Sequence, residues 1–130
     1  MELFGFEPDD QRARYRNDGW VHVPGGATPE FCEHVCDQIA AAGSAGLERP
    51  GITVAKEQYV LELPGGSDVV AELFDSVSTV CGLDRSRLVL SERHINVYGP
   101  EAHVRPRPHK DRFASQVSVG VSIAVPPGSH

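Results

Sequence analysis

Apolar residues recur along this chain at two periods. After Thr28, Pro29 and Glu30, the positions Phe31, Cys32, Val35, Cys36, Ile39 and Ala40 form one stripe at helical spacing. Threonine as N-cap, proline at the first helical position and a glutamate near the positive end are start signals, and Gly43 is a stop. "SDVVAELFDSVSTVCG" repeats the pattern with Val69, Val70, Leu73, Phe74, Val77, Val80 and Cys81, stopped by Gly82. A shorter helix is predicted over Asp9–Asn17, after Pro8 and before Asp18-Gly19. Strands are predicted at Trp20–Pro24, around "QYVLEL", over Arg87–Tyr98, and at "SQVSVGVSIAV". In the last of these Val117, Val119, Val121, Ile123 and Val125 fall on one face and small residues on the other. Helices come mainly first and strands last, which predicts an α+β fold with helices packed outside a sheet. The expected organisation is one domain, residues 1–130. Its helical lead-in is 1–86; strands and a His-x-Asp loop fill 87–130.

Composition narrows the classes. With 130 residues the chain suits a single compact domain, and 40% hydrophobic with 23% charged residues is ordinary for a soluble protein. The formal charge of −6 argues against general binding to nucleic acid or to a bilayer. No apolar run approaches the ~20 residues of a membrane span, and the acidic start lacks a signal pattern, so a cytoplasmic location is expected. Three cysteines do not suggest a disulfide framework. In "CEHVC", Cys32 and Cys36 share the stripe while His34 points elsewhere, so both cysteines read as core packing. His22 reads as a surface or edge residue. His94 and Asn96 share one strand face, and either His94 or His103 would be suited to line a pocket.

The local exception to the acidic balance is "RPRPHKDRF", with Arg105, Arg107, Lys110 and Arg112 around His109 and Asp111. In extended backbone, residues at i and i+2 point to the same side. An imidazole and a carboxylate placed so can both reach one ion; a second histidine completes the 2-His-1-carboxylate set of non-haem iron oxygenases. The bland reading is a solvated basic loop, since His-x-Asp is a common tripeptide. A basic loop of this kind also suits a small anion.

Three stretches together carry a family resemblance. "RYRNDGWVHVPGGATPEFCEHVCDQI" resembles the N-terminal pattern of the phytanoyl-CoA dioxygenase-like branch of the Fe(II)/2-oxoglutarate-dependent oxygenases. "INVYGPEAHVRPRPHKD" resembles the strand, loop and His-x-Asp of that family, and "SQVSVGVSIAVPPGSH" its next barrel strand and turn. The resemblance covers most of Tyr15–His130; "ITVAKEQYVLELPGG" matches least. It implies N-terminal helices packed on a partial double-stranded β-helix of the jelly-roll or cupin-like kind. It also implies Fe(II) on His109 and Asp111, 2-oxoglutarate as co-substrate, and hydroxylation of a small-molecule or lipid-like substrate. Asn96 matches a position that often contacts the co-substrate; Arg105, Arg107 or Arg112 could hold a carboxylate locally, though none stands at the family's position.

The chain departs from the family after Asp111. Nineteen residues follow it, whereas the family places its distal histidine and a basic co-substrate residue far downstream. His130, one strand and one turn later, does not fit the distal position. The expectation is an incomplete site, as in a fragment of a longer oxygenase, a chain completed by self-association or by a partner, or an inactive relative. The last would work as an interaction module through an exposed β-edge.

Overall fold

A computed structural model of the chain describes residues 1–42, 47–48, 56–65, 67–99 and 116–124. Among the described residues are three α-helices, α1 (Pro8–Asp18), α2 (Pro29–Ala42) and α3 (Ser67–Cys81). The strands are β1 (Leu47–Glu48), β2 (Lys56–Val60) and β3 (His94–Tyr98), in one antiparallel sheet of order β1-β2-β3. The fold is α+β. Among the described residues no helix is long and apolar enough to cross a membrane. The chain divides into two compact units, one of Met1–His34 with Leu63–Leu90, the other of Val35–Glu62 with Ser91–His130.

In the first unit α1 packs against α3. Pro8, Gln11 and Tyr15, spaced for one helix face, are its half-buried positions near the core. Asp9 and Asp10 sit in its first turn, where the helix dipole favours negative charge. Gly19 ends it at φ 76°, donating its N–H to the Tyr15 carbonyl at 2.8 Å. The predicted helix is therefore present, one residue longer at each end. α3 ends in a related way: Gly82 takes φ 66° and the Leu83 N–H reaches the Ser78 carbonyl at 3.0 Å. Val69, Ser76 and Val80 are buried on α3, and Leu3 and Phe31 are buried from other parts of the same unit.

The N-terminal segment is fastened at both sides. Gly5 N–H donates to Gly26 O and Thr28 N–H to Leu3 O, both at 3.0 Å, around an isolated Phe4–Ala27 bridge. On the other side the Glu72 carboxylate of α3 accepts the N–H of Leu3 on both oxygens and that of Phe4 on Oε1, all at 2.9 Å. Thr28 caps α2 as predicted: its hydroxyl accepts the Phe31 N–H at 3.2 Å and donates to the Glu2 carbonyl at 2.6 Å. Gly43 lies outside the described residues.

In the second unit β2 pairs with β3 from Lys56↔Tyr98 to Val60↔His94. Beyond Val60 the pairing continues by other means. Leu61 N–H reaches Arg93 O at 3.4 Å, and the Gln38 side chain both donates to Glu62 O and accepts from Glu62 N–H, each at 2.8 Å. The amide of a helical residue thus replaces one rung of a missing strand.

Several strand predictions fail. Trp20–Pro24 is not a strand. Its alternation survives, with Val21 and Val23 half-buried and Trp20 and His22 exposed, but no ladder partner stands beside it among the described residues. Instead it closes in a turn in which Gly26 N–H meets Val23 O at 3.0 Å, and a Cβ on Gly26 would lie 2.9 Å from that oxygen. β2 begins two residues before the predicted "QYVLEL". Of Arg87–Tyr98 only His94–Tyr98 is strand: Asp84 caps a 3-10 turn over Arg85–Arg87, and Val89 beyond it is 83% exposed. The alternating segment is not strand over residues 116–124, and Val119 and Val121 are exposed. Alternation sets which side chains share a face; a strand also needs a neighbour to take its backbone groups. The cysteine stripe is corrected too, since Cys32 is half-buried but Cys36 is exposed. All three cysteines are free thiols.

Candidate functional site

Of the residues singled out from the sequence, Asn96 is described; His109, Asp111 and Arg105 lie outside the described residues. Asn96 stands at the centre of β3, opposite Gln58 of β2, whose Nε2 donates to Asn96 Oδ1 at 3.1 Å. The register puts Lys56, Gln58 and Val60 of β2 on one sheet face with Tyr98, Asn96 and His94 of β3. That His94 and Asn96 share a face is as the sequence predicts. On this face Asn96, Tyr98, His94 and Val60 are exposed and Lys56 and Gln58 half-buried, and Leu47 of β1 joins it opposite Gln58. The opposite face carries Glu57, Tyr59, Ile95 and Val97, of which Ile95 is buried.

The open face is chemically graded along the strands. At one end the Lys56 ammonium lies 5.7 Å from the centre of the Tyr98 ring, a cation–π distance. The two amides come next, and the Val60–His94 pair forms the far end. Lys56 has no carboxylate partner among the described residues. Sequence reasoning missed Lys56, Gln58 and Tyr98. "HINVY" alternates, but "KEQYV" opens on three polar residues, so the grouping becomes visible only once the antiparallel register is known.

Other polar groups serve local structure. On the sheet's opposite face the Tyr59 hydroxyl donates to Glu57 Oε2 at 2.5 Å, which pushes the Tyr59 pKa up. Asp84 accepts from the Ser86 hydroxyl at 2.7 Å and the Ser86 N–H at 3.0 Å, which holds its carboxyl below the usual range. Asp75 pairs with Arg85, and Glu62 with Arg93 at 3.4 Å. The Tyr15 hydroxyl is hydrogen-bonded with the Cys81 thiol, which raises the Tyr15 pKa, with burial adding to it.

As donor types, an imidazole and a carboxylate at i and i+2 fit two positions of an Fe(II) site. Among the described residues no three His, Cys, Asp or Glu side chains come together to hold a metal ion. Of the described histidines, His22 and His94 are exposed and His34 is half-buried. Comparison of the chain with protein-family models, with curated proteins and with solved structures gives no match.

Proposed function

We propose that this chain is an Fe(II)/2-oxoglutarate-dependent oxygenase of the phytanoyl-CoA dioxygenase-like kind, with an incomplete metal site, acting as a hydroxylase on a small-molecule or lipid-like substrate. The observation that carries the reading is the His109-Lys110-Asp111 tripeptide, eleven residues after the end of a strand that presents Asn96 on an open face. The capped helices ahead of it agree with the family's lead-in, and β3 lies where the resemblance expects a barrel strand. In this reading His109 and Asp111 hold the iron, which supplies the oxidising chemistry when bound with 2-oxoglutarate and dioxygen. Asn96 orients the co-substrate through its amide, and Arg105 balances its negative charge. The three free thiols agree with a cytoplasmic setting.

The test is anaerobic addition of Fe(II) and 2-oxoglutarate, watching for the weak visible charge-transfer band. The band is expected in the parent chain and absent in His109→Ala and Asp111→Ala. Stoichiometric iron that never binds, or a band that survives both substitutions, refutes the reading.

A second reading rests on the exposed Val119 and Val121 and on β3 as the sheet edge among the described residues. Here the chain is an inactive interaction module that recruits another chain, or a second copy, through a β-edge. It predicts concentration-dependent association on size-exclusion chromatography that chelators leave unchanged.

A further inference from the structure

We infer that the open face of β2 and β3 binds a small amphipathic carboxylic acid, its carboxylate between Lys56 and Asn96 and its aliphatic body over Val60. The charge requirement comes from Lys56, the single cation among the six side chains that β2 and β3 place on that face, without a carboxylate partner among the described residues. Lys56 and Asn96 lie diagonally across the strand pair, a Cβ separation of roughly 7–8 Å, which the length of a lysine side chain closes. Asn96 Oδ1 is taken by Gln58, so the group it has left to offer is its NH2, a donor. An ammonium and an amide N–H converging from two strands suit the two oxygens of one carboxylate. The Tyr98 ring keeps the Lys56 ammonium at that end of the face. Toward the other end the surface turns apolar, with Val60 at 55% exposure. A ligand that covered only the charged end would leave that valine in water; an alkyl chain of a few carbons covers it. The NH2 of Asn96 serves one carboxylate at a time, so this acid and the co-substrate of the oxygenase reading compete for it; binding of the acid does not rest on that reading.

The test uses the full chain, isotope-labelled, in excess chelator, with the side-chain NH2 signals of Gln58 and Asn96 as reporters. Hexanoate is expected to shift both and to bind about tenfold more tightly than acetate, because its extra methylenes cover Val60. Hexylammonium is expected to leave both signals in place. Lys56→Met should weaken hexanoate by about tenfold or more through loss of a charge-assisted hydrogen bond, while Lys56→Arg retains binding. Val60→Ser should erase the advantage of hexanoate over acetate and leave acetate unchanged. The inference falls if hexylammonium shifts the amides equally, if Lys56→Met binds as the parent does, or if 2-oxoglutarate shifts them and hexanoate does not. Because metal is absent throughout, failure to bind iron at His109 and Asp111 leaves these outcomes untouched, and failure here leaves the iron test untouched.

Discussion

Glu72→Ala isolates the fastening of the N-terminal segment. The Glu72 carboxylate takes two backbone N–H groups, those of Leu3 and Phe4, at 2.9 Å, and Leu3 is the most deeply buried hydrophobic side chain among the described residues, at 2% exposure. A hydrogen bond to a charged acceptor contributes about 1.5–3 kcal/mol. These bonds are part-buried, and water reaches the vacated donors to some extent, so the lower end applies. Losing both bonds then costs about 2–3 kcal/mol, and the urea midpoint falls by about 1 M. The assay is urea unfolding followed by circular dichroism, with amide hydrogen exchange at Leu3 and Phe4 as the local readout. Both amides should lose protection before those of α3 do. Leu3→Ala removes a buried side chain and costs about 2–4 kcal/mol on its own. If carboxylate and leucine hold the same segment, the double variant costs about 1 kcal/mol less than the sum of the singles. A Glu72→Ala loss below about 0.5 kcal/mol, the level of an unremarkable surface change, would refute the fastening, as would strict additivity with Leu3→Ala.

Two further outcomes are expected. With a thiol-labelling reagent under native conditions, exposed Cys36 should react first and half-buried Cys32 and Cys81 later; equal rates at all three sites would contradict the burial of α2 and α3. The raised pKa of Tyr15 makes its neutral form the one the folded state prefers, so its contribution to stability is complete below the ordinary value of 10.0 and is lost as pH rises through and above it. Tyr15→Phe should remove this alkaline loss, and a spectrophotometric titration that places Tyr15 below 10.0 would contradict its hydrogen bond with Cys81.

The helices were largely legible because their signals are local. Thr28, Pro29, Gly19 and Gly82 act through backbone geometry within one turn, and each does in the structure what its position predicts. The strands were less legible, since Trp20–Pro24 and Val117–Ala124 alternate more regularly than β2 does and yet stand outside the sheet. Nothing in a single strand's sequence names its partner. For the same reason Asn96 was readable as a face residue of β3, while Lys56, which lies across the register from it, was not. Cys36 illustrates a third limit: a stripe six residues long is broader than the face the helix buries, and its edge positions come to lie in water.

The amide clamp between Gln38 and Glu62 has a practical corollary for engineering. It closes a loop between positions 24 apart in sequence with a pair of short, local hydrogen bonds. The entropic cost of such closure rises slowly with length, about 0.6 kcal/mol for each doubling. The two anchor residues are thus more sensitive to change than the length of chain that runs between them. Gln38 and Glu62 are therefore the positions to leave as they are when the protein is engineered.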